Sequence, residues 1–187
     1  SRGLGDVYKR QAKEAPEYLN TADDFKDLAF ALNISYVNAA NIINHEVPLK
    51  NAKADIGISI NFPNIIPQSI IDIFPLGILN AHGGDLPKYR GNACQAWAIL
   101  NGEKRIGLCI HSMIGGQLDS GNIIEREYLE IDINTKVTEC LKWMNSKIPG
   151  MFLNSLEKLD KNNDFYLEKQ SLNPKDALRC YPRTVED

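Results

Sequence analysis

Two side chains with complementary chemistry stand two residues apart in the run Leu79-Asn80-Ala81-His82-Gly83-Gly84. The amide of Asn80 is a neutral hydrogen-bond donor, and the imidazole of His82 accepts a proton near neutrality. On a strand, residues i and i+2 point to the same face, so donor and base would leave a sheet side by side. The glycines after them remove side-chain bulk, which would let another molecule approach the backbone at Gly83 and Gly84. A third chemical group, Asp119, sits in the glycine-flanked loop Gln117-Leu118-Asp119-Ser120-Gly121. Each piece also has a plain structural reading: a strand ending in a Gly-Gly turn, and an aspartate that bonds its own backbone.

The surrounding elements read as alternating strands and helices. Thr21 caps a helix carrying Phe25, Leu28, Ala29 and Leu32 on one face, with Asp23 and Asp24 at its positive end. A short strand runs from Ile34 to Val37, a helical turn over 39–44, and Val47-Pro48 is a connector. A second strand, Asp55–Ile60, is apolar at most positions, as expected of a strand covered on both faces. Pro67 opens a helix bearing Ile70, Ile71 and Ile73, and Gly77–Ala81 follows as the strand that ends at the amide and imidazole. Strand, helix, strand with short connections predicts parallel α/β units. Ligands of such sheets bind beyond the carboxyl ends of the strands, where Phe62, Asn64, Asn80 and His82 would gather. Further on, Ala93–Leu100 reads as a helix, and Ile106–Met113 and Asn122–Ile131 as paired strands. A long helix from Thr135 to Asp160 turns Val137, Leu141, Ile148, Phe152, Leu156 and Leu159 inward, with a kink expected at Pro149-Gly150.

The composition excludes several classes. At 187 residues the chain can build one full core. A net charge of -3 gives no overall attraction to nucleic acid or an anionic membrane. No apolar run reaches the ~18 residues of a membrane helix, and no charged-then-apolar pattern of the signal-peptide type appears in these residues. Cys94, Cys109, Cys140 and Cys180 have no metal-ligand or disulfide spacing and read as free thiols of a cytoplasmic protein. His45 and His111 have no ligand-spaced partners, so no metal site is expected, and His111 reads as packing on its strand. Cys94 opens a helix, where a thiol could be activated, but buried packing fits it as well.

The run from Asn80 through Leu86-Pro87-Lys88-Tyr89-Arg90-Gly91, followed by Leu118-Asp119-Ser120-Gly121, resembles the formyltransferase family that uses a tetrahydrofolate formyl donor. The two-part pattern is Asn-x-His-x-x-x-Leu-Pro-x-x-x-Gly and Leu-Asp-x-Gly. The resemblance implies a Rossmann-like α/β fold, a mostly parallel sheet flanked by helices, and 10-formyltetrahydrofolate as formyl donor. It assigns Asn80 to the formyl oxygen, His82 to the proton of an attacking amine, and Asp119 to holding the histidine and an ordered water. The residue types suit the reaction. Attack of an amine on a formyl carbon builds an anionic oxygen, which a preorganised donor steadies by roughly 10²–10³ in rate, while imidazole takes the amine's proton. A carboxylate beside the ring favours its charged form.

The resemblance further implies a folate site lined by Phe62, Asn64, Ile66, Leu118 and Asp119. Ile65 is read as packing at the strand end. Lys88 and Arg90 are candidates for an acceptor's phosphate. Where many relatives read His-x-Ser-Leu-Leu-Pro, this chain has Gly83-Gly84-Asp85-Leu86-Pro87, a version closer to sugar N-formyltransferases than to the tRNA enzymes. The expected acceptor is therefore a small-molecule amine, a nucleotide-linked amino sugar, with methionyl-tRNA as the alternative. Hydrolysis of the donor and a non-catalytic folate-binding role are the readings from other classes. A homodimer is compatible with all of them. Residues 1–11 carry no period and are expected to be non-native. Residues 12–165 are expected to be the catalytic domain without its first strand-helix unit, and 166–187 a linker toward a further, absent domain.

Overall fold

The computed structural model describes residues 7–9, 21–38, 42–62, 64–171 and 173–182. Its frame is a four-stranded sheet in the order β3-β4-β6-β7, built from β3 (Gly57–Ile60), β4 (Ile78–His82), β6 (Arg105–Ser112) and β7 (Ile123–Glu130). β3 and β4 run parallel, while β4–β6 and β6–β7 are antiparallel. Two further pairs are parallel: β1 (Val7–Lys9) with β2 (Tyr36–Asn38), and β5 (Tyr89–Gly91) with β8 (Leu178–Cys180). The α/β character is as the sequence predicts. The strand at Val7–Lys9, however, falls in a stretch where no period was legible.

One face of the sheet is sealed by the long helix α5 (Val137–Lys161), whose Met151, Phe152 and Leu159 pack on Leu79, Leu108, Ile110 and Ile124. Leu108 and Ile110 are fully buried, a burial that stabilises by about 1.5–3 kcal/mol each. Pro149 is accommodated inside α5. The inward stripe of its first turns is set by fully buried Cys140; Val137 and Leu141, expected inward, are exposed. Alternation along β4 and β6 sends Asn80, His82, Cys109 and His111 to the opposite face.

Other helices are short. α1 (Ala22–Ala31) starts at Thr21, which shares a capping box with Asp24 as its sequence suggests. Of its expected apolar face only Ala29 is buried; Leu28 and Leu32 are exposed. Val47 and Pro48 lie within α2 (Glu46–Ala52) rather than in a connector. Pro48 is tolerated because the first turn needs no amide donor from it. α3 (Gln68–Ile71) buries Ile70 and Ile71 against Ile78. α4 (Cys94–Leu100) buries Cys94. β3 departs from the expectation of a strand covered on both faces: Ile58 and Ile60 are half exposed at the edge of the sheet.

The stretch after α5, read as an extended linker, carries a short 3-10 helix at Pro174–Asp176 and is docked on the rest of the chain. Ile123 and Glu168 exchange backbone hydrogen bonds, and β8 lies along β5.

Candidate functional site

β4 delivers Asn80 and His82 to one face, and the antiparallel register sets His111 of β6 directly opposite Asn80. A register shift between Ile110 and His111 marks a bulge in the β6–β7 pairing, a device that re-aims a side chain. The loop after β6 then returns Asp119 to the same place. The carboxylate lies 3.4 Å from His82 Nδ1 and 3.5 Å from His111 Nε2, and it accepts the Gly91 amide at 2.9 Å. Three groups far apart in the chain therefore meet at the carboxyl end of β4. Asp119 has a φ of 46°, an uncommon conformation for a residue with a Cβ. Two residues on, Gly121 is obligatory: a Cβ there would stand 1.9 Å from the Ser112 carbonyl oxygen.

Hydrogen-bond logic fixes the protons. His82 Nε2 lies 2.8 Å from the Tyr89 carbonyl, which can only accept, so Nε2 carries the hydrogen. In the neutral ring the free lone pair is then on Nδ1, the nitrogen facing Asp119. His111 Nδ1 lies 2.8 Å from the Ser112 carbonyl and is likewise the protonated nitrogen. Its Nε2 accepts from Asn80 Nδ2 at 3.2 Å. That contact orients the Asn80 amide and leaves its second N–H hydrogen unclaimed. The arrangement thus sets a neutral donor beside an unprotonated imidazole nitrogen, and that nitrogen faces a fixed anion.

Burial pushes the His82 imidazole below its ordinary value; Asp119 opposes the shift, and His111 and Arg90 add to it. For Asp119, burial alone would raise the carboxyl, but His82, His111 and the Gly91 amide outweigh it and hold the pKa at about 2. It is a carboxylate at any physiological pH. Cys94 Sγ sits 3.7 Å from His82 Nε2, but burial pushes its thiol far up, so packing is its role rather than nucleophilic attack.

Other expected site residues fall in varied settings. Phe62 is half buried against the cluster of Ile66, Ile70 and Ile71, and Ile66 itself is core, 3% exposed. Leu118 is half buried and Asn64 exposed. Ile65, read as packing, is 55% exposed. The glycine pair does not leave room for a foreign molecule as expected. A Cβ on Gly83 would meet Gln95 Nε2 at 2.0 Å, and one on Gly84 would meet His82 Nε2 and the Tyr89 carbonyl oxygen, each at 2.5 Å. It is the chain's own groups that use the space, and Gly84 lets β5 close on His82. Lys88 is paired with Glu103. Arg90 donates to Gln170 Oε1 at 2.9 Å and to the Ser171 carbonyl at 2.8 Å. Both cations are engaged within the chain. His111 was missed as a site residue; the predicted strand Ile106–Met113 contained it, but only the strand register brings it to Asn80.

An amide donor, an imidazole and a largely buried carboxylate gather at the carboxyl end of a strand on an α/β sheet. Residues 9–149 match the family described as formyl transferase, and the chain belongs to that family. A methionyl-tRNA formyltransferase of Malacoplasma penetrans is 34% identical over 134 residues, 72% of this chain and 42% of that protein. The chain spans less than half the length of this relative. Among solved structures, phosphoribosylglycinamide formyltransferase from Bacillus halodurans superposes with a TM-score of 0.66 at 19% identity, covering 78% of this chain and 79% of that one. A sugar 3N-formyl transferase, crystallised in the presence of dTDP and 5-N-formyl-THF, superposes with a TM-score of 0.60 at 24% identity, covering 82% and 52%. These two likenesses concern the fold.

Proposed function

We propose that the chain carries the centre for formyl transfer from 10-formyltetrahydrofolate to a primary amine. The observation that supports this most is the convergence of the Asn80 amide, His82 Nδ1 and the Asp119 carboxylate at one end of β4. In this reading the amine nitrogen attacks the formyl carbon, and the free N–H of Asn80 donates to the oxygen as it becomes anionic. Such a donor contributes roughly 10²–10³ in rate. His82 Nδ1 takes the proton the amine loses, and the imidazolium that forms lies against Asp119 at 3.4 Å. The imidazolium then returns this proton to the folate nitrogen as the bond from the formyl carbon to that nitrogen breaks, so tetrahydrofolate leaves neutral and His82 is restored. Phe62, Leu118 and the backbone of 114–119 would hold the donor, with Asn64 at the rim; Ile66 would support Phe62 from the core.

Two acceptors divide the support. The net charge of -3 favours a small amine over a polyanion. A nucleotide-linked amino sugar is the first such amine to test. The name of the relative at 34% identity favours the amino group of methionyl-tRNA, which is the second reading. The test is to incubate the chain with 10-formyltetrahydrofolate and, separately, a panel of amino-sugar nucleotides and methionyl-tRNA. Gain of one formyl group by a single acceptor, with stoichiometric tetrahydrofolate, is the expected result. Tetrahydrofolate release at the same rate without any amine would assign hydrolysis instead, and no release under any condition would overturn the reading.

A further inference from the structure

Resting on the proposed reaction, we propose that Gln170 is a positioning residue that holds the loop bearing Asp119. Gln170 lies in the stretch after α5 and is 4% exposed. Its amide nitrogen donates to the carbonyl of Asp119 at 3.0 Å and to that of Gly121 at 2.6 Å. Its oxygen accepts from Arg90 Nη2 at 2.9 Å. One side chain thus joins the acid loop to β5, and β5 supplies the Gly91 amide that Asp119 accepts and the Tyr89 carbonyl that binds His82.

The geometry explains why a clamp is needed. Asp119 holds a left-handed backbone without being glycine, a conformation that persists only where its surroundings enforce it. Gln170 grips the main chain on both sides of Ser120, at the carbonyls of Asp119 and Gly121. The clamp is itself anchored. Glu168 and Leu167 bond the backbone of Ile123 at the start of β7, the Glu168 carboxylate pairs with Arg126 at 3.1 Å, and Arg90 also donates to the Ser171 carbonyl. The stretch read from sequence as a linker therefore closes the site from the outside. Among the described residues its hydrogen bonds go to Asp119, Gly121 and Arg90 and none to Asn80 or His82, so it acts through Asp119.

The test compares wild type with Gln170→Leu, which removes all three bonds at similar volume, and Gln170→Glu, which keeps the acceptor for Arg90 but turns an acceptor toward two carbonyls. His82 is titrated by NMR in each. The groups facing it are Asp119, His111, Arg90, the Tyr89 carbonyl and the Cys94 thiol. A loosened Asp119 supports the imidazolium less, so the His82 pKa is expected to fall by about half a unit or more in both variants. In turnover, kcat falls about tenfold while KM for the amine stays within about twofold. In an Asp119→Asn background the same Gln170 changes cost under about twofold, because their route is already lost. An unmoved His82 pKa in a folded variant overturns the proposal, as does an equal tenfold loss in the Asp119→Asn background. The titration needs no turnover, so a failure of the proposed reaction appears separately, as a wild type that forms no product.

Discussion

Replacing Asp119 by asparagine removes one charge and little else. The side chain keeps its size, and its amide oxygen can still accept the Gly91 N–H that the carboxylate holds at 2.9 Å. What disappears is the anion 3.4 Å from His82 Nδ1. Two unit charges at that distance interact by about 5 kcal/mol at an effective dielectric of about 20. The Asp119 side chain is 12% exposed and partly screened by solvent, so we take about half of this as lost to the transition state. About 2.5 kcal/mol corresponds to a fall of roughly 50- to 100-fold in kcat/KM. The assay is single-acceptor formyl transfer at saturating donor, with donor affinity measured separately and expected to change less than about threefold. A variant within about threefold of wild type would refute the idea that the carboxylate steadies a charged His82. Stability supplies a second check. Asp119 is held at about 2, below its ordinary 3.8. The unfolded chain therefore binds the proton first as pH falls, and the stabilisation is present above about pH 4 and lost toward pH 2. The Asp119→Asn protein should lack that portion of the acid transition in urea titrations at stepped pH.

Three further outcomes follow from the same geometry. Burial holds the His82 pKa below 6.5, so the acid limb of the kcat/KM profile should lie below that pH; a limb above it would mean another group is the base. Asn80→Ala should lower kcat by roughly 10²–10³ with donor binding little changed, measured by single-turnover kinetics and donor titration; equal rates would remove the oxyanion role. Gly84→Ala should cost about 1–3 kcal/mol in urea unfolding, and at least about tenfold in turnover, because its Cβ would press on His82 Nε2 and the Tyr89 carbonyl at 2.5 Å. Retained stability would mean that β5 can retreat without consequence.

The parts of the site that local pattern encodes were legible in the chain. Asn80 and His82 share a face because they alternate on one strand, and the strand was visible from Ile78 and Leu79, both buried in the fold. The helix start at Thr21 was legible because capping is settled within four residues. Where tertiary packing decides, the pattern misled. Leu28, Leu32, Val137 and Leu141 sit at helical spacing, yet no element covers them among the described residues. The double glycine pointed to an open approach, whereas Gln95, Met144 and Tyr89 take up the space.

His111 and Gln170 mark the boundary of what one chain discloses about its own chemistry. Neither lies in a motif, and each depends on a pairing that is set elsewhere. His111 meets Asn80 because β6 runs antiparallel to β4 in one register; a shift of one residue would turn His111 to the α5 face and bring Ile110 or Ser112 against the amide. That register is held by the rows behind it, Leu79, Leu108 and Ile110 against Met151 and Phe152. The apolar face thus chooses which polar residues meet on the other. Gln170 depends on a longer route, since α5 must first cross the sheet before the chain can return along Ile123 and reach the Asp119 carbonyl. The three groups of the proposed centre can be read from spacing and residue type; the two that contact them, His111 and Gln170, are consequences of the hydrophobic packing on the far side of the sheet.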